Sequence, residues 1–90
     1  MGSLVPQLIL SNDHGNIIAN YTTNKGGFMK LSLYTAYGAL ITHLKIGMQP
    51  AGSYSQRIEL QAMGIPQGTY LVKLSVGELS KVGSITTFAR

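Results

Sequence analysis

The stretch Met63-Gly64-Ile65-Pro66-Gln67-Gly68-Thr69-Tyr70-Leu71-Val72-Lys73-Leu74-Ser75-Val76 decides the fold, because it reads as a turn followed by a strongly alternating strand. Pro66 presets φ and removes a backbone donor, and Gly68 is free to take φ > 0, so the chain is expected to reverse just before Tyr70. From there Tyr70, Val72, Leu74 and Val76 recur at period two, with Leu71, Lys73 and Ser75 between them. Successive strand side chains point to opposite faces, so this pattern describes a strand with one buried face.

Working outward, six more strand candidates are separated by turn residues. The first, about Leu4 to Leu10, carries Pro6, which cannot donate to a ladder and therefore marks an edge. After the turn Ser11-Asn12-Asp13-His14-Gly15, the second runs from Asn16 to Thr22 and alternates Ile17, Ala19 and Tyr21 against Ile18, Asn20 and Thr22. The third, Phe28 to Tyr34, points Met29, Leu31 and Leu33 inward and leaves Phe28, Lys30 and Ser32 outside. A tight turn at Thr35-Ala36-Tyr37-Gly38 leads to the fourth, about Ala39 to Ile46, with Leu40, Leu44 and Ile46 on one face and His43 and Lys45 on the other. Gly47 to Ser53 reads as a longer connection that carries the chain between sheets. The fifth, Tyr54 to Gln61, alternates Tyr54, Gln56, Ile58 and Leu60 with polar residues. A last strand, about Lys81 to Phe88, follows a loop at Gly77 to Ser80.

Seven short strands with this turn chemistry and no sustained 3.6-residue period predict an all-β, seven-stranded antiparallel sandwich. Gly-x-Tyr-x-Val at Gly68 to Val72 also has the spacing of the tyrosine corner that opens the penultimate strand of immunoglobulin-like sandwiches. The expected core is Leu31, Leu33, Leu40, Ile58, Leu60, Tyr70, Val72 and Leu74. No internal repeat or linker interrupts the pattern. Met1-Gly2-Ser3 reads as an expression scar ahead of one domain spanning 4–90.

Ninety residues supply one core, and a chain of that size buries roughly 60–65% of its unfolded surface. With no cysteine, disulfides and thiolate metal sites are excluded. Seven Lys and Arg against three Asp and Glu give a net charge of +4. The cations are scattered singly along the chain, which argues for solubility and against a nucleic-acid footprint. No apolar run approaches the roughly 20 residues a membrane helix needs.

Catalytic groups are sparse. Asp13 beside His14, His43 and Glu59 are the only side chains with useful proton-transfer chemistry, and their spacing forms no motif for acid–base, nucleophilic or metal-assisted catalysis. No glycine-rich loop opens a helix to cradle phosphate. The sequence therefore reads as non-catalytic and without a cofactor or metal.

Two segments carry a resemblance. Leu33-Tyr34-Thr35-Ala36-Tyr37-Gly38-Ala39-Leu40-Ile41 and Ile65-Pro66-Gln67-Gly68-Thr69-Tyr70-Leu71-Val72-Lys73-Leu74, followed by a glycine turn and Lys81-Val82, resemble the C-terminal sorting domain of type IX secretion cargo. The same skeleton is similar to the immunoglobulin-like domain of flagellar hook-capping proteins. The resemblance covers about Asn16 to the C-terminus, and Ala39 stands where the family usually has arginine.

The resemblance implies a non-catalytic domain at the end of an exported enzyme or adhesin of Bacteroidetes-type bacteria. Its partners would be an N-terminal cargo domain, the outer-membrane secretion machinery and a sortase. Its location would be the cell surface or the medium, reached through the periplasm. The matching residues are Gly38, Gly68, Tyr70 and Lys81: the glycines would shape turns, Tyr70 would pin the corner, and Lys81 with the terminal strand would supply direct contacts. The alternative is an accessory module that binds polysaccharide through exposed rings drawn from Tyr21, Phe28, Tyr34, Tyr37 and Tyr54, or an inert spacer.

Overall fold

The computed structural model describes residues 6–88. They form seven strands: β1 (Gln7–Asp13), β2 (Asn16–Thr23), β3 (Gly27–Thr35), β4 (Leu40–Gln49), β5 (Gly52–Ile58), β6 (Thr69–Val76) and β7 (Leu79–Thr86). All pairings are antiparallel, giving a three-stranded sheet in the order β1-β2-β5 and a four-stranded sheet in the order β4-β3-β6-β7. The molecule is an immunoglobulin-like β-sandwich, with β4 beside β3 where antibody constant domains place the fourth strand in the opposite sheet.

The alternating strands β2, β3 and β6 face the core as expected. Ile17, Ala19 and Tyr21 of β2 and Ile58 of β5 pack against Met29, Leu31 and Leu33 of β3 and against Tyr70, Val72, Leu74 and Val76 of β6. Each large aliphatic so buried contributes about 1.5–3 kcal/mol of transfer free energy. As its proline implied, β1 is an edge strand, although Pro6 precedes it; Leu4 and Val5, with the three residues before them, lie outside the described residues.

β4 departs from simple alternation. Leu31 pairs with Lys45 but Ser32 with His43, and Leu33 pairs with Thr42 but Tyr34 with Leu40, so Leu44 and Ile41 are extra residues in two bulges. Each bulge shifts the side-chain phase by one. Leu44 and Ile41 consequently pack on the core, while Leu40 and Ile46 turn outward and are about half exposed, at 51% and 52%. Leu40 is thus not a core residue. Ser32 does lie on the outer face, yet it is covered, because its hydroxyl hydrogen-bonds His43 Nδ1 at 2.8 Å.

Leu60 reaches the core from a turn and not from β5, which ends at Ile58. Residues 59–65 coil on themselves, with the amides of Met63 and Ile65 bonding the carbonyls of Glu59 and Leu60, and this coil inserts the Leu60 side chain between the sheets. The crossing from β4 to β5 takes place as expected but needs only Pro50 and Ala51 between the strands.

One row of paired residues crosses the four-stranded sheet on its core-facing side: Lys45, Leu31, Leu74 and Lys81. The two leucines are buried and the two lysines occupy the outermost strands. A charge on the inner face of an edge strand disfavours addition of a further strand, since pairing there would bury it. On the β7 side, β1 closes over the sheet: a Cβ at Gly83 would stand 2.9 Å from Leu10 Cδ1, so a side chain there would require the Leu10 side chain to shift.

Candidate recognition site

Tyr70 ends the turn Pro66-Gln67-Gly68-Thr69 with its ring over Gly68 and its hydroxyl donating to the Pro66 carbonyl. This is the tyrosine-corner bond that the spacing predicted. Gly68 works differently from expectation: the left-handed residue of the segment is Gly64, at φ 73°, whereas Gly68 lies against the Tyr70 ring and pairs both backbone groups with Thr87. The Thr87 amide donates to the Gly68 carbonyl at 2.8 Å, and the Gly68 amide donates to Thr87 Oγ1 at 3.1 Å. The end of β7 is thereby latched to the corner.

A second corner sits in the other sheet. Pro50-Ala51-Gly52-Ser53-Tyr54 repeats the pattern Pro-x-Gly-Ser/Thr-Tyr, and Tyr54 donates its hydroxyl to the Pro50 carbonyl at 2.5 Å. This short internal repeat escaped the sequence reading, although alignment of the two prolines would have found it.

The β3–β4 turn lies at the same end of the sandwich as the Tyr70 corner, because Thr35 and Tyr70 are register partners. Thr35 organises it: its carbonyl accepts from the Gly38 amide at 3.0 Å, and its hydroxyl accepts from the amides of Tyr37 and Ala39. Gly38, at φ 90°, occupies the left-handed region that a side chain disfavours. The turn holds Tyr37 entirely in solvent, 99% exposed.

Of the four motif residues, Gly38, Gly68 and Tyr70 gather at this end, and Lys81 does not. Lys81 pairs with Leu74, farther along the sheet on β7. Thr87, Thr35 and Asn12, whose side-chain oxygen accepts from the Phe88 amide at 2.9 Å, complete the end, and sequence offered no signal for partners this remote.

A small ionic network borders the same end on the other sheet. Arg57 bridges Asp13 and Glu59, and Asp13 also meets His14 Nδ1 at 2.8 Å. Hydrogen bonding from Arg57 first and His14 second holds the Asp13 carboxyl below its usual range. His43 stands apart from this network, on the outer face of the four-stranded sheet with Ser32. Among the described residues no group of three or more His, Asp or Glu is arranged to hold a metal ion.

The aromatics divide between core and surface. Tyr21 is buried and stacks on Tyr54 with ring centroids 5.4 Å apart, whereas Phe28 and Tyr34 lie on the outer face of the four-stranded sheet and Tyr37 on the turn. Phe28 and Tyr34 are separated along β3 by about 20 Å at the usual strand rise. The five rings therefore make no single coplanar row.

No protein-family model matches the chain, and no curated protein matches it.

Proposed function

We propose that this domain is a non-catalytic sorting module that directs an exported cargo protein through the outer membrane by type IX secretion. The observation that carries the reading is convergence: the two segments that resemble the sorting family, far apart in sequence, meet at one end of the sandwich through the Thr35 and Tyr70 pairing. Gly38 and Tyr70 shape that end, Tyr37 projects from it, and the Thr87 latch ties the terminal strand to it. A receptor reading both motifs together would meet one folded surface.

The test fuses the intact domain behind a signal peptide and a reporter in a type IX-competent host. Under this reading the reporter reaches the cell surface, and the same reporter without the domain stays in the periplasm. A folded fusion that remains periplasmic removes the sorting role and leaves a binding or spacer role in its place.

A further inference from the structure

The outer face of the four-stranded sheet concentrates apolar side chains that the core does not use. Phe28, Leu40, Ile46, Met48 and Val82 are all about half exposed or more, and register pairing places them on this one face. Exposed apolar groups gathered on one face of a small domain mark an interaction surface.

The charges on the same face are of one sign. Lys30 pairs with Ile46 on one side and Ser75 on the other; Lys73 pairs with Ser32 and Val82. The two lysines therefore stand on neighbouring rows in the middle of the sheet, with Ser32 and Ser75 between them, Phe28, Ile46 and Met48 on the β4 side and Val82 on the β7 side. None of the chain's three carboxylates is there: Asp13 and Glu59 are both engaged by Arg57 at one end, and Glu78 belongs to the β6–β7 turn.

We infer that this face docks an acidic protein partner, one that presents carboxylates to Lys30 and Lys73 from within an apolar surround. The inference goes beyond the sorting role and holds whether or not the domain is a sorting module. A second copy of the chain is not complementary, since its matching face would oppose lysine with lysine. An anionic lipid surface fits less well, because membrane-seated faces bury an apolar centre and keep their cations at the rim, the reverse of the arrangement here. Complementary charges on a partner would fix its orientation on this face and speed its approach.

The experiment follows backbone amide shifts of the isotope-labelled domain on titration with a random copolymer of glutamate and tyrosine, with polyglutamate and vesicles containing phosphatidylglycerol as the other arms. The copolymer is expected to shift Phe28, Lys30, Ile46 and Lys73 and to leave β1, β2 and β5 unmoved. Polyglutamate should bind at least about tenfold more weakly, because it lacks apolar groups. Lys30→Ser with Lys73→Ser should weaken copolymer binding about tenfold or more while the spectrum stays folded, and Lys25→Ser, on a loop, should leave it unchanged. Shifts spread over both sheets, equal binding of polyglutamate, preference for vesicles, or a concentration-dependent dimer through this face would each overturn the inference.

Discussion

Tyr54 and Tyr70 are counterparts in opposite sheets: each donates its hydroxyl to the carbonyl of the proline four residues before it and lays its ring over the intervening glycine. One corner starts β5 and the other starts β6, so the same local device fixes how the chain enters each sheet. Removing the Tyr70 hydroxyl by Tyr70→Phe is expected to cost about 0.5–1.5 kcal/mol without loss of fold, and Tyr54→Phe, whose bond is more exposed, the lower part of that range. Because the corners lie in different sheets and share no partner, the double variant should be additive within about 0.5 kcal/mol. Denaturant midpoints measure both quantities; an unchanged midpoint for Tyr70→Phe would show that its hydroxyl contributes nothing.

The bulges in β4 make a prediction that plain alternation reverses. Leu44→Ala should destabilise more than Leu40→Ala, since Leu44 packs on the core and Leu40 faces solvent. Leu74→Ala, at a fully buried position, should cost about 2–5 kcal/mol. Urea unfolding of the three variants ranks them, and a Leu40 effect equal to that of Leu74 would restore the unbulged register.

These strands also show what the sequence could convey. The alternation of β2, β3 and β6 carried the fold because one face of each is wholly buried, so that polar and apolar residues sort cleanly. In β4 an edge position leaves Ile41 and Leu44 as the apolar residues that pack inward, and because two bulges break the period, plain alternation places Leu40 in the core. At the end that carries the Tyr70 corner, Gly38 and Tyr70 were legible because turns and corners are local. The Thr87 latch and the Asn12 bond were not, since their partners come from remote strands.

Lys45 and Lys81 end one row of the four-stranded sheet, and their predicted role is to keep its edges single. Replacing both by valine should leave the melting temperature nearly unchanged and promote association, seen as a rising apparent mass in light scattering. Lys81→Glu, which keeps a charge at the edge, should stay monomeric. If the valine variant also stays monomeric, the lysines do not guard the edges.

At the extremes of pH two groups should register. Asp13 has a depressed folded value, so its stabilisation is present above the unfolded carboxylate value near 4 and is lost as pH falls through the lower folded one. Burial first, and Tyr54 second, raise the Tyr21 hydroxyl, so its stabilisation is complete below about pH 10 and is lost as pH rises through the higher folded value. Asp13→Asn should flatten the acid limb of the stability curve and Tyr21→Phe the alkaline limb. Unfolding at a series of pH values tests both signs.

If the joined end of the sandwich is what a secretion receptor reads, Tyr37 is the residue that isolates it best. Its side chain is fully exposed, so Tyr37→Ser is expected to alter stability by less than about 0.5 kcal/mol, and any effect on export reports recognition. The decisive measurement is the ratio of surface to periplasmic reporter for the Tyr37→Ser fusion against the parent fusion in a type IX-competent host, with melting of the two domains compared. Recognition through Tyr37 should lower the ratio at matched stability. A parent fusion that reaches the surface beside a Tyr37→Ser fusion with the same ratio would contradict it.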